Sequence, residues 1–377
     1  MSPAFWLFDG YKALAWLIES INNGRGAIPA VCFHVKHLEE IMALYDELGY
    51  INIPWILSRG QVFNIIVGGR GTGKTFGALK YFIENDLTFF FMRRTQKQIN
   101  LICKPEFSPF KKLNMKYGWD IQPESIGEGC YAWYKDGSEK PVGYSAALST
   151  IKDIRGFSGD DVKVFLYDEF VPELHEKHLK GEAEAIFNAY ETINRNRELE
   201  GEPALIALFF ANSNTISNSL FVELGLVGIA DKMLRKRQEM YINKIRRLCL
   251  CELLKSPKSA EKKQTALYDL VGVNSDFAAM ALENEYRDRS SDYIRKMPLI
   301  EFTPLVFVGE ICIYRHKSKN IFYVSQHRTG SCQEYASTTS ALTAFRKTYR
   351  WLYDNYINGQ VYFEQFVCET LLTKYLC

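Results

Sequence analysis

The chain has 377 residues, 47% hydrophobic and 24% charged, with a formal net charge of +2. This balance excludes a disordered chain and gives length for two or three domains. No apolar run approaches the roughly 20 residues that span a bilayer, and the start lacks a basic region and a small-residue cleavage site, so a soluble intracellular protein without a membrane partner is expected.

Nine scattered cysteines form no C-x-x-C pair, which removes the zinc ribbon and the redox motif. The pairs His34/His37 and His175/His178 have helix-face spacing but no third ligand nearby, and read as solvated surface.

Residues 1–60 read as a helical front extension. Leu14, Leu17, Ile18 and Ile21 recur at helical spacing, and residues 37–48 form a second amphipathic pattern. Neither carries chemistry. The first core strand is expected over residues 62–67, and the next eight residues are Gly68-Gly69-Arg70-Gly71-Thr72-Gly73-Lys74-Thr75. They fit G-x-x-x-x-G-K-[ST] between a strand and a helix start, the setting of a phosphate-binding loop. Backbone N–H groups freed by the glycines would curl around phosphate, helped by the partial positive charge of the helix N-terminus. Lys74 would reach the β/γ-phosphates, and the Thr75 hydroxyl would hold Mg²⁺. The pattern therefore predicts ATP and Mg²⁺ as ligands.

A second strand over residues 87–94 ends in Arg93 and Arg94. Strand ends face the ligand crevice of a parallel sheet, so an arginine here can approach phosphate; an ordinary basic strand end is the other reading for each. Residues 130–134 and 143–146 read as hairpin strands. Residues 162–167 form an apolar strand running into Asp168 and Glu169. Asp168 is expected in the Mg²⁺ shell and Glu169 as the group that orients and deprotonates water. A helix is expected over residues 182–199, including Asn194-Arg195-Asn196-Arg197, then a strand over 204–210 leading to Asn212. Asn212 is placed to sense a γ-phosphate, with a turn cap as the competing reading.

Residues 232–263 hold eleven lysines and arginines against three glutamates, the footprint of a polyanion partner or of a solvated helical linker. From residue 298 the pattern turns to strands, with one expected over 305–314, a basic turn over 315–320 and a strand over 321–324. Helices over 341–356 and 362–375 close the chain. The resulting division is an extension over 1–60, an α/β P-loop ATPase domain over 61–228, a basic helical linker over 229–295, and a smaller α+β domain over 296–377.

Gly68–Thr75, Phe-Met-Arg-Arg at 91–94, Phe-Leu-Tyr-Asp-Glu-Phe at 165–170 and Asn-Arg-Asn-Arg-Glu at 194–198, in this order, resemble the DNA-packaging ATPases of small tailed bacteriophages with protein-primed genomes. The resemblance spans residues 60–377. It implies an additional-strand, catalytic-glutamate ATPase domain, a helical linker and a ribonuclease-H-like C-terminal domain. It further implies a homopentameric ring docked in the host cytoplasm on the portal (connector) of an empty procapsid, pumping double-stranded DNA inward; use of a structural packaging RNA stays open. In that family an arginine reaches the neighbouring subunit's nucleotide: Arg195 occupies the matching position. Arg155 stands where a second trans-acting basic residue is found, replacing a lysine of the best-known pattern.

A nuclease needs clustered carboxylates to hold two metals, and the 305–314 segment offers only Glu310. The C-terminal domain is thus expected to be a nucleic-acid-binding module whose nuclease chemistry is lost. The competing functions are a packaging terminase that also cuts DNA, a nucleotide-gated assembly or secretion ATPase, and an ATP-dependent scaffold. The first would want paired acidic residues in the second domain, the second a transmembrane segment, and the third would tolerate loss of Glu169.

Overall fold

The structure, a computed structural model, describes residues 44–376 apart from 128, 155, 158, 173–180, 214, 217, 255, 273–277, 279–280 and 283–292. The expected helix on Leu14, Leu17, Ile18 and Ile21, most of the 37–48 helix, His34, His37, His175, His178 and Arg155 lie outside the described residues.

Nine strands form the larger sheet. In chain order they are β1 (Phe63–Gly68), β2 (Phe89–Arg93), β3 (Ile121–Gly127), β4 (Cys130–Lys135), β5 (Gly143–Ala147), β6 (Val164–Asp168), β7 (Ile206–Ala211), β8 (Met240–Asn243) and β9 (Leu248–Leu253). Their spatial order is β3-β4-β5-β2-β6-β7-β1-β9-β8. The six strands from β5 to β9 in that order are parallel, and β4 and β8 run antiparallel at either flank. The apolar runs of β1, β2 and β6 are buried almost throughout because both faces of a parallel sheet are covered. One face packs on Ile186, Ala189 and Ile193 of the helix Glu182–Asn194 and on Leu220, Phe221 and Ala230 of the two helices that follow β7. The other packs on Ile53 and Ile56, on Ala78, Leu79 and Phe82 of the helix Lys74–Glu84, and on Ile99 and Ile102. β7 lies between β1 and β6, so an additional strand separates the strand of the glycine loop from the strand of Asp168.

Three local expectations are corrected. The first concerns the helical linker expected over 229–295. The helix Val227–Arg235 is followed by β8 and β9, and β9 pairs in parallel with β1. All six β9 residues are buried. The charge that suggested a linker flanks the two strands and fills the turn Lys244–Arg247 between them, while Leu248-Cys249-Leu250-Cys251 is a core run. Second, the helix expected to reach residue 199 stops at Asn194, where Arg195 takes a left-handed φ of 49°. Third, the single strand expected over 305–314 is a hairpin of β10 (Phe302–Val308) and β11 (Ile311–His316), turned at Gly309 and Glu310.

That hairpin begins a second sheet, completed by β12 (Phe322–Ser325), β13 (Gln333–Tyr335) and β14 (Val361–Phe363) in the order β13-β10-β11-β12-β14. β10, β11 and β12 form an antiparallel meander flanked by two parallel edge strands. Phe345 and Tyr349, Leu352, and Leu371, Leu372 and Tyr375, from three helices, cover one face. The last of these helices, Phe366–Leu376, also packs on the two helices after β7, burying Phe366 in the core of the larger sheet. Lys374 pairs with Glu223 across this junction at 3.2 Å. Among the described residues no helix is long and apolar enough to cross a membrane.

Candidate active site

The parallel strands bring their C-terminal ends to one edge, where an open α/β sheet binds its ligands. β1 delivers the glycine loop, β6 delivers Asp168 and Glu169, β7 delivers Asn212, and β2 delivers Arg93. Residues 70–76, Asp168, Glu169, Val171, Ala211 and Asn212 line one cavity of about 450 Å³. Residues far apart in the sequence meet there.

Gly73, with φ 86°, precedes the helix Lys74–Glu84 in the left-handed region that favours glycine. Its ideal Cβ would also lie 3.0 Å from the Tyr50 side chain. Lys74 Nζ donates to the carbonyls of Gly68 at 2.8 Å and Gly69 at 3.0 Å and lies 3.5 Å from Asn212 Oδ1. Burial pushes its ammonium down to about 8, against the opposing pull of Asp168 and Glu169. A cation desolvated this far, at a loop shaped for phosphate, is poised to gain from an anion.

Thr75 Oγ1 donates to Asp168 Oδ2 at 2.7 Å. These adjacent oxygens at the cavity wall suit a hard cation such as Mg²⁺, which takes oxygen ligands and keeps several waters. Arg93 donates to the same Asp168 oxygen at 2.9 Å and pairs with Glu169. Glu169 itself is half-exposed and has a φ of 58°. A left-handed glutamate directly after a buried strand is a strained position of the kind found at functional sites. The geometry gives Glu169 access to water and Asp168 a sheltered place beneath it.

The two arginines of β2 part company. Successive strand side chains point to opposite faces. Arg93 enters the site, whereas Arg94, only 1% exposed, ion-pairs with buried Glu182 at 2.7 Å. The phosphate approach expected of Arg94 is therefore corrected: a buried carboxylate occupies its guanidinium. Arg195 does not line the cavity. It closes the helix Glu182–Asn194 at the surface, 43% exposed, touching the Phe157 carbonyl and lying 4.0 Å from Asp160.

Two supports of the loop were not expected from the sequence. The Ile51 N–H donates to the Thr72 carbonyl at 3.0 Å, and Lys262 Nζ bonds the Arg70 carbonyl. Neither has a motif: Ile51 lay in the extension read as carrying no chemistry, and Lys262 was one of many cations in a basic stretch. Only the pairing of β9 beside β1 returns the chain to the loop.

Fold and site together define the class: a P-loop nucleotide-binding protein of the additional-strand type, with a glutamate directly after its strand-terminal aspartate. A family model described as podovirus DNA encapsidation protein (Gp16) matches residues 45–371, and the chain belongs to that family. The DNA packaging protein of Bacillus phage phi29 is 23% identical over 257 residues, 67% of this chain and 70% of the relative. That of Bacillus phage B103 is 22% identical over 334 residues, 84% of this chain and 97% of the relative. Among solved structures, the bacteriophage Phi-29 viral genome packaging motor assembly superposes with a TM-score of 0.59 at 17% identity, over 87% of this chain and 99% of that one. The Phi-28 gp11 DNA packaging motor gives 0.58 at 17% identity, over 87% and 98%. At such identity these likenesses establish the fold.

Proposed function

We propose that this protein is the ATPase of a viral genome packaging motor, hydrolysing ATP to drive double-stranded DNA through the portal into an empty procapsid. The observation that carries the reading is the meeting of Lys74, Thr75, Asp168, Glu169, Arg93 and Asn212 at one sheet edge. Family membership supplies the direction of the work, since the relatives are named DNA packaging proteins.

In this reading the loop N–H groups and Lys74 bind the triphosphate, and Asn212 contacts its terminal phosphate. Thr75 and Asp168 would hold Mg²⁺, which when bound offsets charge on the phosphate oxygens. Glu169 orients a water and takes its proton as the water oxygen bonds to the γ-phosphorus and the bond to the ADP oxygen breaks. Arg93 holds the Glu169 carboxylate, so this pairing must loosen for the carboxylate to act as a base. Arg195 and Arg155 serve a neighbouring subunit's nucleotide in a homopentameric ring in the host cytoplasm. The C-terminal domain, of ribonuclease-H-like ancestry, binds nucleic acid without cutting it; a packaging RNA would be a further ligand of the same chemistry.

The test is ATP hydrolysis with and without duplex DNA. Stimulation by DNA that disappears in Glu169→Gln is expected; turnover indifferent to DNA in the assembled ring would overturn the motor reading.

A further inference from the structure

The phosphate loop has a second lysine. Lys262 ends the short helix Pro257–Lys262, just after β9, and its ammonium bonds the Arg70 carbonyl. A Cβ built on Gly71 would lie 2.5 Å from Lys262 Nζ, which shows how closely the ammonium lies against this peptide, while the φ of 74° is what favours glycine there. Arg70 O and the Gly71 N–H belong to one planar peptide and point in opposite directions. Arg70 and Gly71 both line the cavity, so an ammonium on this oxygen acts on a peptide whose N–H is one of the loop's phosphate donors in the ATP-binding reading.

We propose that Lys262 is a further nucleotide-affinity residue, which strengthens the loop's grip on a triphosphate by polarising the Arg70–Gly71 peptide at its carbonyl oxygen. The inference rests on the ATP-binding reading above. Hydrogen bonds in series reinforce one another, and a charged partner makes the strongest link. The charge also counts directly, because Lys262 adds to a local group of cations that includes Lys74 and Arg70. Burial first, then the Arg70 guanidinium, lowers the Lys262 ammonium from its ordinary range. A bound polyphosphate relieves that cost. Lys258, on the same helix, differs: its ammonium is held by Glu261 at 2.7 Å and lies over the Tyr50 ring.

The experiment is a fluorescence titration of the full-length protein with N-methylanthraniloyl-ATP and Mg²⁺, beside thermal melting without nucleotide. Lys262→Met is expected to weaken binding about tenfold with an unchanged apo melting temperature. Lys262→Arg, which keeps the charge, should stay within about threefold of wild type, and Lys258→Met should match wild type. Unchanged affinity in Lys262→Met, or an equal loss in Lys258→Met, overturns the proposal. So does a fall in the apo melting temperature that accounts for the lost affinity, since Lys262 would then be a structural prop. A wild-type protein that fails to bind the probe, or Lys74→Ala binding as well as wild type, would instead overturn the ATP-site reading itself.

Discussion

Nucleotide affinity should fall as pH rises through 8, and the window follows from Lys74. Burial holds its ammonium at about 8, against an unperturbed value of 10.5. A triphosphate beside it favours the charged form, so the bound protein keeps the proton to higher pH. With a free-site value of 8, the protonated fraction drops from about 0.9 at pH 7 to about 0.1 at pH 9, so the dissociation constant rises about tenfold. Apo stability runs in the opposite sense. A lysine whose folded value is lowered binds fewer protons folded than unfolded between 8 and 10.5, so its burial penalty is relieved as pH rises across that range. The assay is the fluorescent ATP titration at constant ionic strength from pH 7 to 9, repeated with Lys262→Arg to remove the other perturbed lysine at the loop. An equally steep rise in both proteins assigns the effect to Lys74. A flat wild-type profile would refute the inference that a desolvated ammonium waits at the loop for phosphate.

Other substitutions probe other parts of the site. Glu169→Gln should bind ATP near wild-type affinity and release phosphate at least about 10²-fold more slowly, because the amide cannot take a proton from water; quench-flow at saturating ATP measures this. Arg195→Ala should keep its affinity and lose on the order of 10³–10⁵ in turnover if the guanidinium works in trans. Mixing it with Glu169→Gln subunits should restore part of the rate, since some interfaces then pair an intact Glu169 with an intact Arg195. Arg94→Ala should cost about 3–5 kcal/mol by urea unfolding, because Glu182 is left buried and charged, while Arg94→Met with Glu182→Leu should recover most of that loss.

The core strands were legible because their signal is local. Residues 62–67 and 162–168 are apolar runs that only a two-sided sheet buries, and the glycine pattern between strand and helix fixes its own geometry. The segments that line the cavity were legible for the same reason: each follows or ends a strand, and a parallel sheet gathers strand ends without further instruction. What the sequence hid were choices made by tertiary contact. β9 was obscured because its core run of six follows the turn Lys244–Arg247, and charge counted over a window averages the two together. β3 was missed because it is an exposed flanking strand, with one fully buried residue, Ile121, to mark it. The hairpin at Gly309 and Glu310 was read as one strand because β10 and β11 are apolar on both sides of a two-residue turn. The fate of Arg93 and Arg94 depended on strand phase, which a shift of one residue would reverse.

The same accounting separates the residues of the Asn194-Arg195-Asn196-Arg197 stretch and supports the role proposed for Arg195. Asn194 Oδ1 accepts the Leu205 N–H at 2.8 Å, tying the helix end to the chain entering β7. Arg197 is 7% exposed and donates to the carbonyls of Gly159, Asp160 and Val162 at 3.1, 2.9 and 2.6 Å, bracing the approach to β6. Both are consumed by the fold of their own subunit. Arg195 is not: the left-handed backbone ends the helix there, and the guanidinium emerges beside Phe157 and Asp160. An exposed ion pair at the limit of contact is worth about 0–1 kcal/mol, and the hydrogen bond to the Phe157 carbonyl adds about 0.5–1.5 kcal/mol, which the backbone strain largely offsets. The fold therefore gains little from an arginine whose strained φ of 49° costs on the order of 1–3 kcal/mol. A residue held in that conformation with so little return inside its own chain is best accounted for by a partner outside it, and a neighbouring subunit's triphosphate is the anion a ring of these domains would present.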